Sequence, residues 1–597
     1  MADRFPLIVD SSAQQLQELA VGDNLNLASS GLINADNIQT SGLSVGVMTA
    51  TSFIGDGSQL TNLPAAGSST EITASGTLAD GSKVIVNADG TVSAVAYTDT
   101  PYWIATLGST GEIDQGRGIA VDGSGNIYVT GKARAAGAGA GSFLIAKYNS
   151  AGVVQWQRTL SGSSVDEAFA IAVDSSGNAY IGGSSYSYSG GSRRDFSVAK
   201  YNTSGVIQWQ RVLATTGSDS DCKSVAVDSS GNLYAIGYPV ISAKCIIAKY
   251  NTSGTLQWQR TLDGTGNDYG FGIAVDGSSN VYINGITSSG SGGTDFLIAK
   301  YNSSGTIQWQ RSLGGTNYEY GRRVAVDSSG NIYVCGKWKD GSDDNAMIAK
   351  YNSSGTIQWQ RSLQESAGQE QFEGIAVDNS GRAYVIGYTS SYTAGSNDIL
   401  IARYTTSGAL NWQRILGGTG NDRCDGAGIA VDNSGSIYFI GETTSSGPGT
   451  VNIIFGKLPD DGSLTGTYGS ITYASANLNE ATTSFTDAST SLTDSASSLT
   501  DASTSFTDSA SNLTLAYDLA PSSNLTAENY IGISDGAYTN GQTATVQLIG
   551  SVDDAQSSLT PGQKYYVQGD GTLSETADSP SVLAGTAIAS TKLLIKK

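Results

Sequence analysis

A seven-fold internal repeat limits what this chain can become. The triplet Ala-Val-Asp ends at Asp122, Asp174, Asp228, Asp276, Asp327, Asp378 and Asp432, at steps of 48 to 54 residues. Tryptophan keeps the same beat at Trp103, Trp156, Trp209, Trp258, Trp309, Trp359 and Trp412; the eighth, Trp338, is off it. Such a period marks stacked supersecondary units, none of which buries its apolar face alone. In the unit from residue 322, "RRVAVD" is a short apolar run closed by "SSGN", and "IYVCG" is a second run. The loop "KWKDGSDDN" leads to "AMIAKY", "NSSG" turns the chain, and "TIQWQRSL" is a fourth run. Short β-rich runs bounded by Asp, Asn, Ser and Gly read as strands. The pattern predicts a mainly β chain with a seven-bladed, four-stranded β-propeller over 101–466.

The runs are nearly continuous in apolar residues, as suits sheets covered on both faces. The small residues of "GIAVD" place that strand nearest the axis and the Trp strand outermost. Six Trp strands follow an "AKYN…G" or "ARYTTSG" hairpin. The seventh equivalent, "FGKLPDDGSLTG" at 455–466, has no Trp after it, and "YWIATL" at 102–107 has no hairpin before it. The Trp103 strand is therefore expected to complete the last blade and close the ring, which removes exposed edges. These units resemble the bacterial β-propeller repeat family with its "GxAVDxxGNxYVxG" signature, over about 103–458. The resemblance implies the fold and leaves activity open, since propellers host many functions.

Charge and residue types exclude several functions. The net charge of −21 repels phosphate backbones and anionic lipid, so neither nucleic acid nor a membrane surface is an expected partner. No apolar stretch is long enough to span a bilayer, and the N-terminal residues do not read as a secretory signal. Histidine is absent, which rules out Ser-His-Asp and Cys-His nucleophiles. Cys222, Cys245, Cys335 and Cys424 show no CxxC spacing, and neither a metal site nor a cofactor is expected. The seven AVD aspartates invite a reading as metal ligands. The Ser, Gly and Asn that follow favour Asx turns, in which the carboxylate accepts backbone N–H groups. Asn202, Asn251, Asn302 and Asn352 are formal glycosylation acceptors but sit in hairpin-turn sequences.

Strand polarity sends the "DSSGN" and "NSSG" turns to one face and the loops after "YVxG" and "WQRSL" to the other. The first face is uniform. The second is variable, and variable loops on a rigid repeat scaffold are where binding is expected. It carries the candidate receptor-binding residues Trp338, Tyr186, Tyr188, Arg193, Arg194, Tyr388 and Tyr392, together with Tyr269, Tyr318 and Tyr320. Aromatic side chains stack on sugars or anchor protein partners, and Trp338 is favoured because it breaks the pattern. Asp166, Glu167, Asp219, Asp221, Asp268, Glu319, Asp422 and Asp425 crowd this face and are expected to form a solvated acidic rim. No carboxylate pair stands out, so no catalytic residue is expected and the chain reads as no enzyme. A polysaccharide-degrading enzyme needs two carboxyls roughly 5–10 Å apart in a pocket. A deep pocket on this face with one Asp/Glu pair of raised pKa would revive that reading.

The flanks carry different patterns. In 467–516, Leu478, Phe485, Leu492, Leu499, Phe506 and Leu513 are seven apart, with Ala or Ser three further on after the first five. This minimal a/d heptad is expected to form a trimeric coiled-coil stalk; because Ser and Thr are weak helix formers, a linker is the alternative. In 1–66, "DRFPLIVDSSAQQLQELAVGDNLNLASSGL" and "TSFIGDGSQLTNLP" resemble N-terminal regions of virion structural and tail-fibre proteins of tailed, especially cyanobacterial, phages. Within the flanking segments 67–100 and 517–597, residues 74–95 and 529–596 resemble parts of one small β domain in the same class, with Asp-Gly and Asn-Gly hairpin signals, and are expected to fold together. The resemblance implies a homotrimeric tail fibre or adhesin, assembled in the host cytoplasm and located on the virion. Its N-terminal region would join other tail proteins, and its propeller would meet a host-surface glycan or protein. An architectural collar, baseplate or capsid spike is the alternative.

Overall fold

A computed structural model describes residues 7–10, 15–18, 69–95 and 102–596, the last with short breaks, mostly in loops. Residues Met1–Ala65 are one unit, in which Leu7–Asp10 pairs with Gln15–Glu18. The rest of 1–66, including "TSFIGDGSQLTNLP", lies outside the described residues. Ala66–Lys597 is the second unit. Every described element is a strand.

Seven antiparallel sheets take four strands each from the repeats. Sheet 1 is Gln115–Val121, Ile127–Ala133, Ser142–Tyr148 and Val154–Ser161. Sheets 2 to 6 follow the same plan, beginning at Glu167, Ser220, Asp268, Glu319 and Glu370. In sheet 7, Ile437–Thr443 and Asn452–Leu458 are joined by the N-terminal strand Trp103–Gly108, which pairs with Asn452–Leu458. The predicted turn chemistry is present. Asp122 Oδ1 accepts the N–H groups of Ser124 and Asn126, and its Oδ2 accepts the Tyr128 hydroxyl. The AVD carboxylates are thus occupied within their own turns.

Tryptophan and glycine lock each sheet to the next. Trp156 Nε1 donates to Thr203 O at 3.0 Å, and its ring covers Gly205. A Cβ at Gly205 would stand 2.7 Å from that ring, and the residue has φ +74°, so only glycine fits. The contact recurs from Trp209, Trp258, Trp309, Trp359 and Trp412 to the following sheet. Trp103 of sheet 7 makes it to Ser150 of sheet 1.

The heptad segment is not a coiled coil. Gly466–Tyr468 and Ile471–Ser475 form a hairpin on the outer edge of sheet 6. Asn479–Thr482 then adds a fifth strand to sheet 5, Thr486–Ser489 to sheet 4, and Thr493–Ala496 to sheet 3. Thr500–Ser503 adds to sheet 2, Thr507–Ala510 to sheet 1, and Thr514–Leu519 to sheet 7. The segment is a belt that visits the sheets in reverse order. Each apolar heptad residue falls between two belt strands and packs into the core shared by two sheets. Phe506 packs with sheets 1 and 2, Leu499 with 2 and 3, and Leu492 with 3 and 4. Phe485 packs with sheets 4 and 5, Leu478 with 5 and 6, and Leu513 with 7 and 1. The glutamine after the repeat Trp holds the belt backbone. Gln360 Nε2 donates to Phe485 O at 3.1 Å, and its Oε1 accepts the Phe485 N–H at 3.3 Å. Gln210, Gln259, Gln310 and Gln413 donate likewise. The expected stalk fails because each sheet has an open edge and a cleft at its rim, and these bury the heptads within one chain.

Segments from both ends of the chain share one sheet. Ser69–Thr73 pairs with Thr543–Gln547, and Lys83–Val86 pairs with Tyr530–Ser534. Ile85 and Val95 join Tyr530, Ile533, Tyr565 and Leu593 in one core.

The belt carries stability. Truncating a buried Phe to Ala costs about 3–5 kcal/mol in a core, and Phe506 is 8% exposed. Phe506→Ala is expected to lower the unfolding free energy of the sheets by about 3 kcal/mol in denaturant melts. A stalk independent of the sheets would leave that value unchanged.

Candidate functional site

The glycine of "YVxG" creates the site. In sheets 1 to 6 the ladder between the first and second strands slips by one residue, skipping Arg117, Phe169, Lys223, Phe271, Arg322 and Glu373 in turn. Each is a β-bulge, which re-aims a side chain. A Cβ at Gly131, Gly183, Gly237, Gly285, Gly336 or Gly387 would clash with the carbonyl oxygen two residues before the bulged residue. Only glycine lets the two strands come that close. The first strands pack against one another from sheet to sheet, including sheet 7 against sheet 1.

The bulged side chains converge on a cavity of about 220 Å³. Arg117, Phe169, Lys223, Phe271, Arg322 and Glu373 line it, with Tyr238, Arg323, Asp425 and Gly426. The bulges lie near the starts of the first strands, the end from which the variable loops spring. One wall is aromatic: Tyr238 lies 5.5 Å from Phe271 and 4.4 Å from Tyr269. Lys223 Nζ stands 3.9 Å over Phe169, and the Arg322 guanidinium 5.3 Å over Phe271. The rest of the lining is ionic. Arg117 pairs with Glu167 and Glu442 at 2.7 Å and with Asp425 at 3.1 Å. Arg322 Nε is 3.4 Å from Glu373. Burial raises the Glu373 carboxyl above its usual range, although Arg322 opposes this. Asp425 moves the other way: burial would raise it, but Arg117, Arg423 and Arg322 hold it below the usual carboxylate range. Two carboxyls shifted apart are thus on one cavity wall, the feature that sequence alone did not single out.

The sequence-predicted residues fall around this cavity more than in it. Trp338 is half-buried and packs edge-on against Phe485 of the belt, ring centroids 5.4 Å apart. Arg194 is tied to Asp219 and Asp221 at 3.6 and 3.3 Å. Arg193 is half-buried near Gly217, and the Tyr186 amide donates to Asp166. The Tyr388 hydroxyl contacts Gln371 at 3.5 Å, and burial pushes its pKa up to about 12. Tyr188 and Tyr392 lie outside the described residues. The cavity residues other than Asp425 were missed, although a signal exists. The position five before each of the first six AVD aspartates reads Arg, Phe, Lys, Phe, Arg, Glu in an otherwise repetitive strand.

The Beta-propeller repeat family matches residues 103–135, 155–191 and 308–337, and a beta-propeller domain of unknown function matches 379–411. The chain carries β-propeller repeats. Solved structures similar to the propeller include a gluconolactonase from Xanthomonas campestris, at 11% identity over 53% of this chain and 96% of that one, TM-score 0.28. Chaetomium thermophilum Sqt1 is similar at 12% identity over 58% and 96%, TM-score 0.35. An exo-β-1,3-galactanase from Clostridium thermocellum is similar at 12% over 66% and 88%, TM-score 0.24. No curated protein matches the chain. Nothing in these comparisons links the propeller to tail-fibre proteins. The expectation that the chain is no enzyme is corrected, since a gluconolactonase and a galactanase are among its structural neighbours. Likenesses this distant assign the propeller no activity.

The acidic rim also needs correction. Asp166, Asp268, Glu319 and Asp422 are at most 1% exposed and accept loop N–H groups from Gly162, Gly264, Gly315 and Gly418. They are buried caps for the loops between sheets. Burial lifts Glu319 to about 7 and Asp166 to about 6, against the hydrogen bonds each accepts. A carboxyl whose pKa is higher folded than unfolded stabilises the fold while protonated, and that contribution is lost as pH rises through the folded pKa. Glu319 therefore contributes stability near pH 4.5 that fades by about pH 7. Glu319→Gln, which is neutral throughout, is expected to shrink the fall in melting temperature between those pH values, read by calorimetry. An unchanged fall would contradict this assignment.

Proposed function

We propose that this chain forms a closed seven-bladed propeller whose variable-loop face binds a host-surface molecule, as the receptor-binding body of a virion fibre. The observation that carries the binding reading is the cavity at the variable-loop end, built by bulged side chains that differ from sheet to sheet. A repeat scaffold that keeps its packing residues constant while varying one position per repeat is suited to recognition. The pairing of Trp103–Gly108 with sheet 7, and the Trp103 contact to Ser150, support the closed ring. The virion part rests on the resemblance of the flanking segments. A trimer is no longer part of the reading, because the heptads that suggested it are used within one chain. The combination of an aromatic wall and an ionic wall suits a sugar, whose ring stacks and whose hydroxyls hydrogen-bond.

The test is binding of the labelled full chain to a panel of cyanobacterial cells, with thermal melts as a fold control. Arg322→Ala is expected to weaken binding by about ten-fold or more, the effect of losing a central contact. Ser328→Glu and Ser353→Glu, exposed on the constant face, are expected to leave it unchanged. Binding to no strain, or equal loss from the constant-face variants, overturns the reading. Trp338 is a poor probe, since removing it also loosens the belt at Phe485.

A further inference from the structure

Arg323 is a buried cation with no carboxylate within ion-pair distance among the described residues, and Glu373 acts on it only at longer range. It lines the cavity, is 8% exposed, and forms no ion pair among the described residues. Its Nη1 donates to the carbonyls of Phe271 at 2.6 Å and Arg322 at 3.2 Å, and its Nε has no hydrogen-bond partner. The neighbouring Arg322 Nε is also buried without a hydrogen bond, although Glu373 is within ion-pair distance. A guanidinium held out of water with only carbonyl partners carries a desolvation cost that an anion would offset. The acids on the cavity wall are already engaged: Asp425 by Arg117 and Arg423, and Glu373 by Arg322, so that one carboxylate is shared between Arg322 and Arg323.

We propose that this cavity binds a small oxyanion, a carboxylate, sulfate or phosphate group, through Arg323 and Arg322. This rests on the reading of the cavity as the binding site and narrows its ligand from sugars at large to anionic ones. Guanidinium groups match planar and tetrahedral oxyanions by paired N–H donors. At about 220 Å³ the cavity is smaller than the ~300–1,000 Å³ of typical drug-sized sites, which limits the ligand to a free ion or one charged sugar residue. Phe271 and Tyr238 offer such a residue a stacking face beside the cations.

The experiment titrates the full chain with glucuronate, sodium phosphate, sodium sulfate and glucose at matched ionic strength, following the melting temperature and, by calorimetry, binding heat. Glucuronate or an inorganic oxyanion is expected to raise the melting temperature in a saturable way, and glucose is not. Saturation by glucuronate alone identifies an acidic sugar; saturation by phosphate or sulfate identifies a free ion or its ester. Arg323→Gln is expected to abolish the effect. Arg322→Gln, at the more exposed rim, is expected to weaken it at least ten-fold and keeps the test open if the first variant does not fold. Absence of saturable binding by every anion, equal stabilisation by glucose, or binding undiminished in the Arg322 and Arg323 variants overturns the proposal. Cell binding without anion binding sinks only this inference. Anion binding without cell binding sinks only the fibre reading.

Discussion

Each of the seven repeat sheets has two apolar faces and an open outer edge, and all three must be covered. The faces are covered by neighbouring sheets: each core cluster of the propeller draws residues from two adjacent sheets. The edge is covered by the belt. A single repeat therefore has no stable form of its own, which is the physical meaning of a repeat that packs only by stacking. The same demand explains the invariant letters. Trp and Gly meet between sheets, the AVD aspartate closes its turn, and the glutamine after Trp holds the belt backbone.

The site is a by-product of that packing. The second-strand glycine lets the first strand bulge, and the bulge turns one side chain per sheet toward the cavity. The bulged residues meet side chains of neighbouring sheets, Arg117 with Glu167, Lys223 over Phe169 and Arg322 with Glu373. Large charged residues therefore occupy the innermost strand, where small ones were expected, because partners from the next sheet and the cavity receive them. The "AVD" end of that strand keeps its small residues, and the bulge opens room at the other end.

Much of the fold was legible. The four strands of "RRVAVD", "IYVCG", "AMIAKY" and "TIQWQRSL" and their turns follow from local residue chemistry. The placement of the Trp103 strand beside Asn452–Leu458 followed from counting hairpins that lack a Trp. The belt was legible as a period and misread as to its partner. Seven residues make two helical turns in a coiled coil, but in an extended chain they span about 23 Å, enough for four paired residues and a crossing to the next sheet. The Ser and Thr that weakened the helix reading are at home in strands.

The candidate site was less legible. Asp425 appeared within a supposed acidic rim, Trp338 stood out only as an exception to the repeat, and Arg323 drew no notice. What the sequence determined by itself is the local part: strands, turns, the repeat count and the chemistry of each position, because these depend on neighbours along the chain. What only the tertiary structure decided is which positions meet. The belt finds its clefts, the bulged residues share one cavity, and Arg323 has no ion pair among the described residues. These facts depend on distances between residues 50 to several hundred positions apart, which no local pattern encodes.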